Sequence, residues 1–195
     1  MARPTLYVVR HGQTDWNVAY RLQGQMDIPI NATGRGQAKA NGARLAGLLD
    51  DPARYRFVSS PLGRTRETMD IVRQEMGLPN GGYETDRRIQ EVSFGRWEGY
   101  TFQELKVDER DAVAARRADK WNYVPPGGES YAMLRDRVLT WLPYLDRDHV
   151  VVTHGGIIRV LRHLIEGIGE AEIAQTSIPQ DRIYRIDADG GAWLD

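Results

Sequence analysis

Short apolar runs along the chain end abruptly in polar, glycine-flanked residues. Leu6-Tyr7-Val8-Val9 runs into Arg10-His11-Gly12, Arg56-Phe57-Val58 into Ser59-Ser60-Pro61, and Val150-Val151-Val152 into Thr153-His154-Gly155-Gly156. Runs this short and rich in β-branched residues read as buried strands. Between them apolar residues recur at helical spacing, as in Ala40, Ala43, Leu45, Leu48 and Leu49. The pattern predicts a strand over 5–9 and a short helix over 14–21 that Thr14 or Asp15 caps. It then predicts a loop to Gly34, a helix over 36–49, a strand over 55–59 and a helix from Pro61 to about 76. The Gly77-Leu78-Pro79-Asn80-Gly81-Gly82 stretch ends that helix, and a short strand over 83–85 follows. The order β-α-α-β-α-β implies an α/β fold with a largely parallel sheet and right-handed crossovers.

From 89 to 129 the periodicity loosens into two short helical pieces (101–106 and 109–120) and the turn Tyr123-Val124-Pro125-Pro126-Gly127-Gly128. Few large apolar residues occur there, so the segment is expected to cover an active site rather than build core. A helix over 130–142 ended or kinked by Pro143, a strand over 150–153 and a helix over 156–166 come next. A last strand over 182–187 precedes the turn Ala188-Asp189-Gly190-Gly191 and a tail able to pair back as a hairpin.

The 195 residues fit a single domain, 1–195, with a cap insertion at about 92–129. Hydrophobic residues at 41% and charged ones at 27% describe an ordinary globular chain, and the net charge of −1 offers no general field for nucleic acid or anionic membrane. Cysteine is absent, which removes disulfides, thiolate nucleophiles and Cys-ligated zinc. Met1-Ala2-Arg3-Pro4 leads into too few apolar residues for a signal peptide, and no run approaches a membrane span, so a cytoplasmic protein is expected. The composition is compatible with a homo-oligomer.

Three strand ends place Arg10-His11-Gly12, Ser60-Pro61-Leu62-Gly63-Arg64 and His154 at the carboxyl edge of the sheet, where open α/β sheets bind ligands. Two histidines and two arginines there describe an anion pocket with a nucleophile. His11 must be neutral to attack, and nearby guanidinium charges favour that form. The same charges attract a phosphoryl dianion, by about 4 kcal/mol per pair at about 4 Å and an effective dielectric of about 20. Gly12 is expected to let backbone approach a ligand, with free N–H groups at the following helix start. Arg64 falls in the first turn of a helix, a poor place for a cation without an anionic partner. An alkoxide leaving group needs a proton, for which Glu91 and Glu98 are candidates. Val92, Phe94 and Trp97 beside Glu91 would favour its protonated form.

Taken together, Arg10-His11-Gly12-Gln13-Thr14-Asp15-Trp16-Asn17, Arg21-Leu22-Gln23-Gly24, Thr33-Gly34-Arg35-Gly36-Gln37-Ala38, Ser60-Pro61-Leu62-Gly63-Arg64-Thr65, Glu91-Val92-Ser93-Phe94-Gly95-Arg96-Trp97-Glu98-Gly99, Gly127-Gly128-Glu129-Ser130 and Val152-Thr153-His154-Gly155-Gly156 resemble the histidine phosphatase superfamily, in its cofactor-dependent phosphoglycerate mutase-like branch. The resemblance implies a three-layer α/β/α sandwich with a mostly parallel sheet. It implies that His11 accepts the phosphoryl group and that Arg10, Arg64 and His154 hold its oxygens, with Asn17 assisting. Glu91, preferred to Glu98, would donate the leaving-group proton and then activate water. Gln23 and Gly24 would lie at the pocket edge, with Gly155 beside the substrate. Arg116-Arg117 resembles a basic pair with which mutases grip a substrate carboxylate, against the plainer reading of a solvated helix face. Tyr100, Trp121 and Tyr123 would line the pocket mouth or pack the cap, and His149 and His163 read as ordinary surface or helix-packing residues.

The interval from Glu91 to His154 is shorter than in mutases, which favours hydrolysis over return of the phosphate. The leading expectation is therefore a metal-independent phosphomonoesterase acting on a small phosphorylated metabolite, with no cofactor. A phosphoglycerate mutase, which would need 2,3-bisphosphoglycerate, is the alternative, and a non-catalytic phospho-ligand-binding module the second. Too few aspartates flank the histidines for a binuclear metal hydrolase.

Overall fold

The computed structural model describes residues 4–194; Met1–Arg3, on which the leaderless reading partly rests, and Asp195 lie outside the described residues. Six strands form one sheet in the order β3-β2-β4-β1-β5-β6. They are β1 (Leu6–Arg10), β2 (Arg56–Ser59), β3 (Glu84–Thr85), β4 (His149–Thr153), β5 (Ile183–Asp187) and β6 (Gly190–Leu194). β1, β2, β3 and β4 pair in parallel, whereas β5 runs antiparallel to β1 and to β6. The tail thus forms the hairpin its turn residues suggest.

Alternation along the central strands sorts their side chains between two helical layers. Leu6, Val8 and Val151 join one core cluster with Leu134, Val138, Ile157, Ile158 and Leu161. These come from α6 (Tyr131–Trp141) and α7 (Gly155–Glu166). Val9, Val150 and Val152 face Leu45, Met69 and Val72 on the opposite side, from α2 (Ala32–Leu48) and α3 (Gly63–Glu75). Sheet between helix layers is the expected three-layer arrangement. Continuous Val150-Val151-Val152 is wholly buried because a parallel strand covered on both faces has no solvent side.

The elements differ from expectation mainly at their ends. The first helix, α1 (Asp15–Val18), is shorter than 14–21: Thr14 caps its start in a capping box with Asn17, and the chain leaves helical geometry at Tyr20, with φ +55°. α2 starts four residues early, since Asn31 accepts the Gly34 N–H as N-cap. The cap contains α4 (Phe102–Asp108) and α5 (Arg110–Ala118), and a short α8 (Glu170–Ile173), which the periodicity does not reveal, follows α7. The expectation that the cap contributes no core needs correction. Trp97, Leu105 and Val113 are buried in a small cluster of their own. Trp121 and Tyr123 pack rather than line a mouth: Trp121 stacks on Tyr131 at 5.7 Å and Tyr123 on Trp97 at 5.6 Å. Tyr100 stays exposed. His149 is buried in β4, not on the surface or a helix, while His163 packs on Trp121 at 4.8 Å.

Candidate active site

β1 and β4 are neighbours in register, with Arg10 opposite Thr153, so the residues that follow each strand emerge side by side. The rings of His11 and His154 lie 5.2 Å apart and both are fully buried from solvent or nearly so. The His11 backbone N–H donates to Thr153 O at 2.9 Å, tying the two strand ends together.

His11 Nδ1–H donates to its neighbour's carbonyl, Gly12 O, at 2.8 Å. That bond assigns the proton to Nδ1 and leaves Nε2 with a free lone pair. Burial, then the charges of Arg64 and Arg10, hold the His11 imidazole well below its ordinary value, so it is neutral near pH 7. His154 is shifted in the same direction by burial, then by Arg64, His11 and Arg10. Its Nε2 lies 2.8 Å from Ser60 Oγ, a partner that sequence reasoning did not single out.

Arg64 is fully buried in the first turn of α3. Its Nη1 and Nη2 donate to Met26 O at 2.6 Å and Gly24 O at 2.7 Å. Arg10 Nη1 donates to Ile178 O at 2.6 Å. Burial foremost brings Arg10 down to about 10, partly countered by Glu91. After these anchoring bonds, Arg10 Nε, Arg64 Nε and His154 Nδ1 are buried with no protein partner. Buried polar atoms without partners are costly, and these three belong to the residues expected to hold phosphoryl oxygens.

Glu91 sits over the start of α7, where Gly156 N–H donates to its Oε1 at 3.0 Å. Its charge is felt by both Arg10 and Arg64. Glu98 is otherwise engaged: its Oε1 accepts from Gln25 N, Phe94 N and Ser93 Oγ at 3.0–3.2 Å. Arg137 on α6, ion-paired with Glu129 at 2.9 Å, donates to the carbonyls of Arg88, Gln90 and Glu91 and so fixes the Glu91 backbone.

Other sequence-predicted residues take different parts. Asn17 Oδ1 accepts from Thr14 N and from Gln180 Nε2, which also donates to His11 O at 3.0 Å. Asn17 therefore braces the loop, and Gln180, unmarked by any sequence signal, joins it. Gln23 is buried with its Oε1 unpartnered. Gly24 has φ +50°, and a Cβ there would sit 2.1 Å from Glu98 Oε1. Gly155 opens α7 beside Arg10 and Arg159. The expectation for Gly12 is corrected: its missing side chain accommodates Gly34 O, which a Cβ would approach to 2.3 Å, not a ligand. The Gly12, Gln13 and Thr14 N–H groups are already taken by Thr68 Oγ1, Gln37 Oε1 and Asn17 Oδ1. The Arg116-Arg117 pair splits. Arg116 is buried against the Phe94 and Phe102 rings, whereas Arg117 is exposed. Among the described residues no group of three or more His, Cys, Asp or Glu is arranged to hold a metal, and no helix is long and apolar enough to cross a membrane.

Residues 6–194 match the family model described as the histidine phosphatase superfamily (branch 1). Phosphoglycerate mutase-like protein 4 of Arabidopsis thaliana is 34% identical over 197 residues, covering 96% of this chain and 81% of that protein. Glucosyl-3-phosphoglycerate phosphatase of Mycolicibacterium vanbaalenii is 33% identical over 213 residues, covering 97% and 89%. Among solved structures, the α-ribazole phosphatase from Shigella flexneri superposes with a TM-score of 0.80 at 24% identity, over 94% of this chain and 90% of the other, a likeness of fold.

Proposed function

Because the chain belongs to the histidine phosphatase superfamily (branch 1), and its similar relatives include a phosphatase, we propose that it hydrolyses a small phosphorylated metabolite through a phosphohistidine on His11 Nε2. The observation that carries this reading is the neutral, Nδ1-protonated His11 together with three buried nitrogens that have no partner, Arg10 Nε, Arg64 Nε and His154 Nδ1.

In the first step Nε2 attacks phosphorus, the P–O ester bond breaks, and Glu91 in its acid form gives its proton to the departing alkoxide. In the second the Glu91 carboxylate takes a proton from water as that oxygen attacks phosphorus. The P–N bond then breaks, its electron pair returns to Nε2, and inorganic phosphate leaves. Splitting the displacement in two replaces one poor leaving group by a labile imidazole. The arginines and His154 stabilise charge on the equatorial oxygens, and neither step calls for a metal or a cofactor.

Rapid quenching during turnover of a ³²P-labelled ester should yield an acid-labile, base-stable label on the wild-type chain and none on His11→Ala. Wild-type turnover with no such label would overturn the phosphohistidine. Release of inorganic phosphate from 3-phosphoglycerate marks the phosphatase. A 2,3-bisphosphoglycerate-dependent conversion to 2-phosphoglycerate without net release would mark the mutase instead.

A further inference from the structure

A cavity of about 450 Å³ that the reaction does not use lies at the amino end of β2, where Tyr55, Arg56 and Phe57 line it. The phosphoryl cradle forms beyond the carboxyl end of the same strand, around Ser60 and Arg64, so the two places are separated by the length of β2. The single turn Pro52–Arg54 forms one lip of the cavity, with Ala53 exposed on it. The stretch after α3 supplies the facing wall through Leu78, Gly82 and Tyr83.

The lining combines aromatic surface with one buried cation. Tyr55, Leu78 and Tyr83 pack on the core cluster that holds Phe57, Met69 and Val72, yet stay partly uncovered and line the cavity. Arg73, in the last turn of α3, is 5% exposed, and its guanidinium carbon lies 4.7 Å from the Phe57 ring centre. Gly82 makes room for it, since a Cβ there would be 2.9 Å from Nη2. Its one hydrogen bond among the described residues runs from Nε to Pro79 O at 3.4 Å. None of their acidic side chains is within ion-pair distance of it. Burial lowers the Arg73 guanidinium, and Asp70 partly counters this, but Asp70 spends Oδ1 on the Gly81 N–H at 3.3 Å. The dipole of α3 favours a cation at this end but supplies no acceptor. Nη1 and Nη2, partnerless yet not sealed off, are left to face the cavity. At the rim Glu84 is exposed, and Arg56 pairs with Asp146 at 3.5 Å. One unneutralised cation inside and a carboxylate at the rim suit a ligand with a single acidic group and disfavour a polyanion.

We propose that this cavity is a ligand site apart from the cradle, taking a small planar aromatic acid whose carboxylate or phosphate meets Arg73 Nη1 and Nη2 while its ring lies against Tyr55 and Tyr83. A guanidinium fork holds such a group by two parallel charge-assisted hydrogen bonds. The tyrosine rings add apolar contact and offset stacking. A volume of about 450 Å³ lined by aromatic side chains and one convergent charge is that of a small-molecule site. The site stands independently of the phosphatase reading, since no residue of the cradle belongs to it.

Amide chemical-shift mapping by NMR on the wild-type chain tests this with three probes. They are 2-naphthoate, neutral 2-naphthamide, and 2-naphthylphosphonate, a stand-in for phosphate that the reaction cannot hydrolyse. At least one acid should bind saturably with a Kd of about 0.1–1 mM, roughly tenfold or more tighter than the amide. The tighter acid tells carboxylate from phosphate. Shifts should centre on the amides of Ala53, Gly82 and Tyr83 and spare those of His11, Gly12 and Gly155. Octanoate, an acid without a ring, should bind about tenfold more weakly than the tighter aromatic acid. Arg73→Gln should weaken both acids about tenfold and leave the amide unchanged, which a purely structural arginine would not produce. Ala53→Trp, on the exposed lip, should block all three aromatic probes, and it carries the test if Arg73→Gln unfolds. Equal binding of acid and amide, shifts confined to the cradle, or no saturable shift up to about 10 mM overturns the site. Binding untouched by Ala53→Trp does so too. A dimer in sedimentation that Ala53→Trp dissociates would give the groove to a second copy and overturn the proposal as well.

Discussion

Glu91 and Glu98 are close in sequence and alike in chemistry, yet the fold assigns them different work. Glu98 gives one oxygen to three loop donors, while Glu91 faces both arginines of the cradle from the start of α7. Glu91→Gln keeps the shape and loses the transferable proton. For an alkyl phosphate, kcat/KM should fall about 10²- to 10⁴-fold. For p-nitrophenyl phosphate, whose leaving group needs no proton, it should fall far less. Equal losses on both esters would remove Glu91 as the acid. At this scale the sequence is informative where a residue is exceptional for its place, as with a histidine between arginine and glycine at a strand end. It is silent about Thr68 and Gln180, whose side chains are common types. Their roles depend on which way a loop or helix face turns them. The same limit kept Arg116 and Arg117 together in the sequence, since only the helical rotation between neighbours separates a buried cation from an exposed one.

Elements are held around the site by close backbone contacts as much as by side chains. The loop after β1 presses on the first turn of α2 at Gly12 and Gly34, where a Cβ on either would come within 2.3 Å of a backbone oxygen. Gly12→Ala should therefore force the two segments apart, costing about 1–3 kcal/mol in stability and displacing His11. Denaturant unfolding and the phosphoenzyme label together check this; a stable, fully labelled variant would show that the contact yields. Strands were legible as short apolar runs that end in polar residues, and long helices because their apolar residues repeat with the helical period. The core within the cap was not, since Trp97, Leu105 and Val113 lie eight residues apart across separate turns and helices. α8 is a four-residue helix without a side-chain cap, too short for any period to register.

For the whole molecule, burying two neutral imidazoles links stability to pH. Both histidines are lowered well below 6.5 in the folded state, so below about pH 6.5 the unfolded chain binds more protons than the folded one. Their contribution is complete above that pH and is lost as pH falls towards the folded values. The slope should be up to about 1.4 kcal/mol per pH unit for each histidine. Urea unfolding between pH 7.5 and 5 measures it, and His154→Gln should make the dependence shallower. A flat profile would mean that the imidazoles accept protons in place. The strand order carries a consequence for biogenesis. β1, made first, pairs only with β4 and β5, so it has no neighbour until residues from 149 onward have been synthesised. An emerging polypeptide must keep β1, with His11 just beyond it, unmatched until β4 has left the ribosome. Competence for catalysis thus arrives as a late event, and premature termination before β4 yields an inert, aggregation-prone fragment.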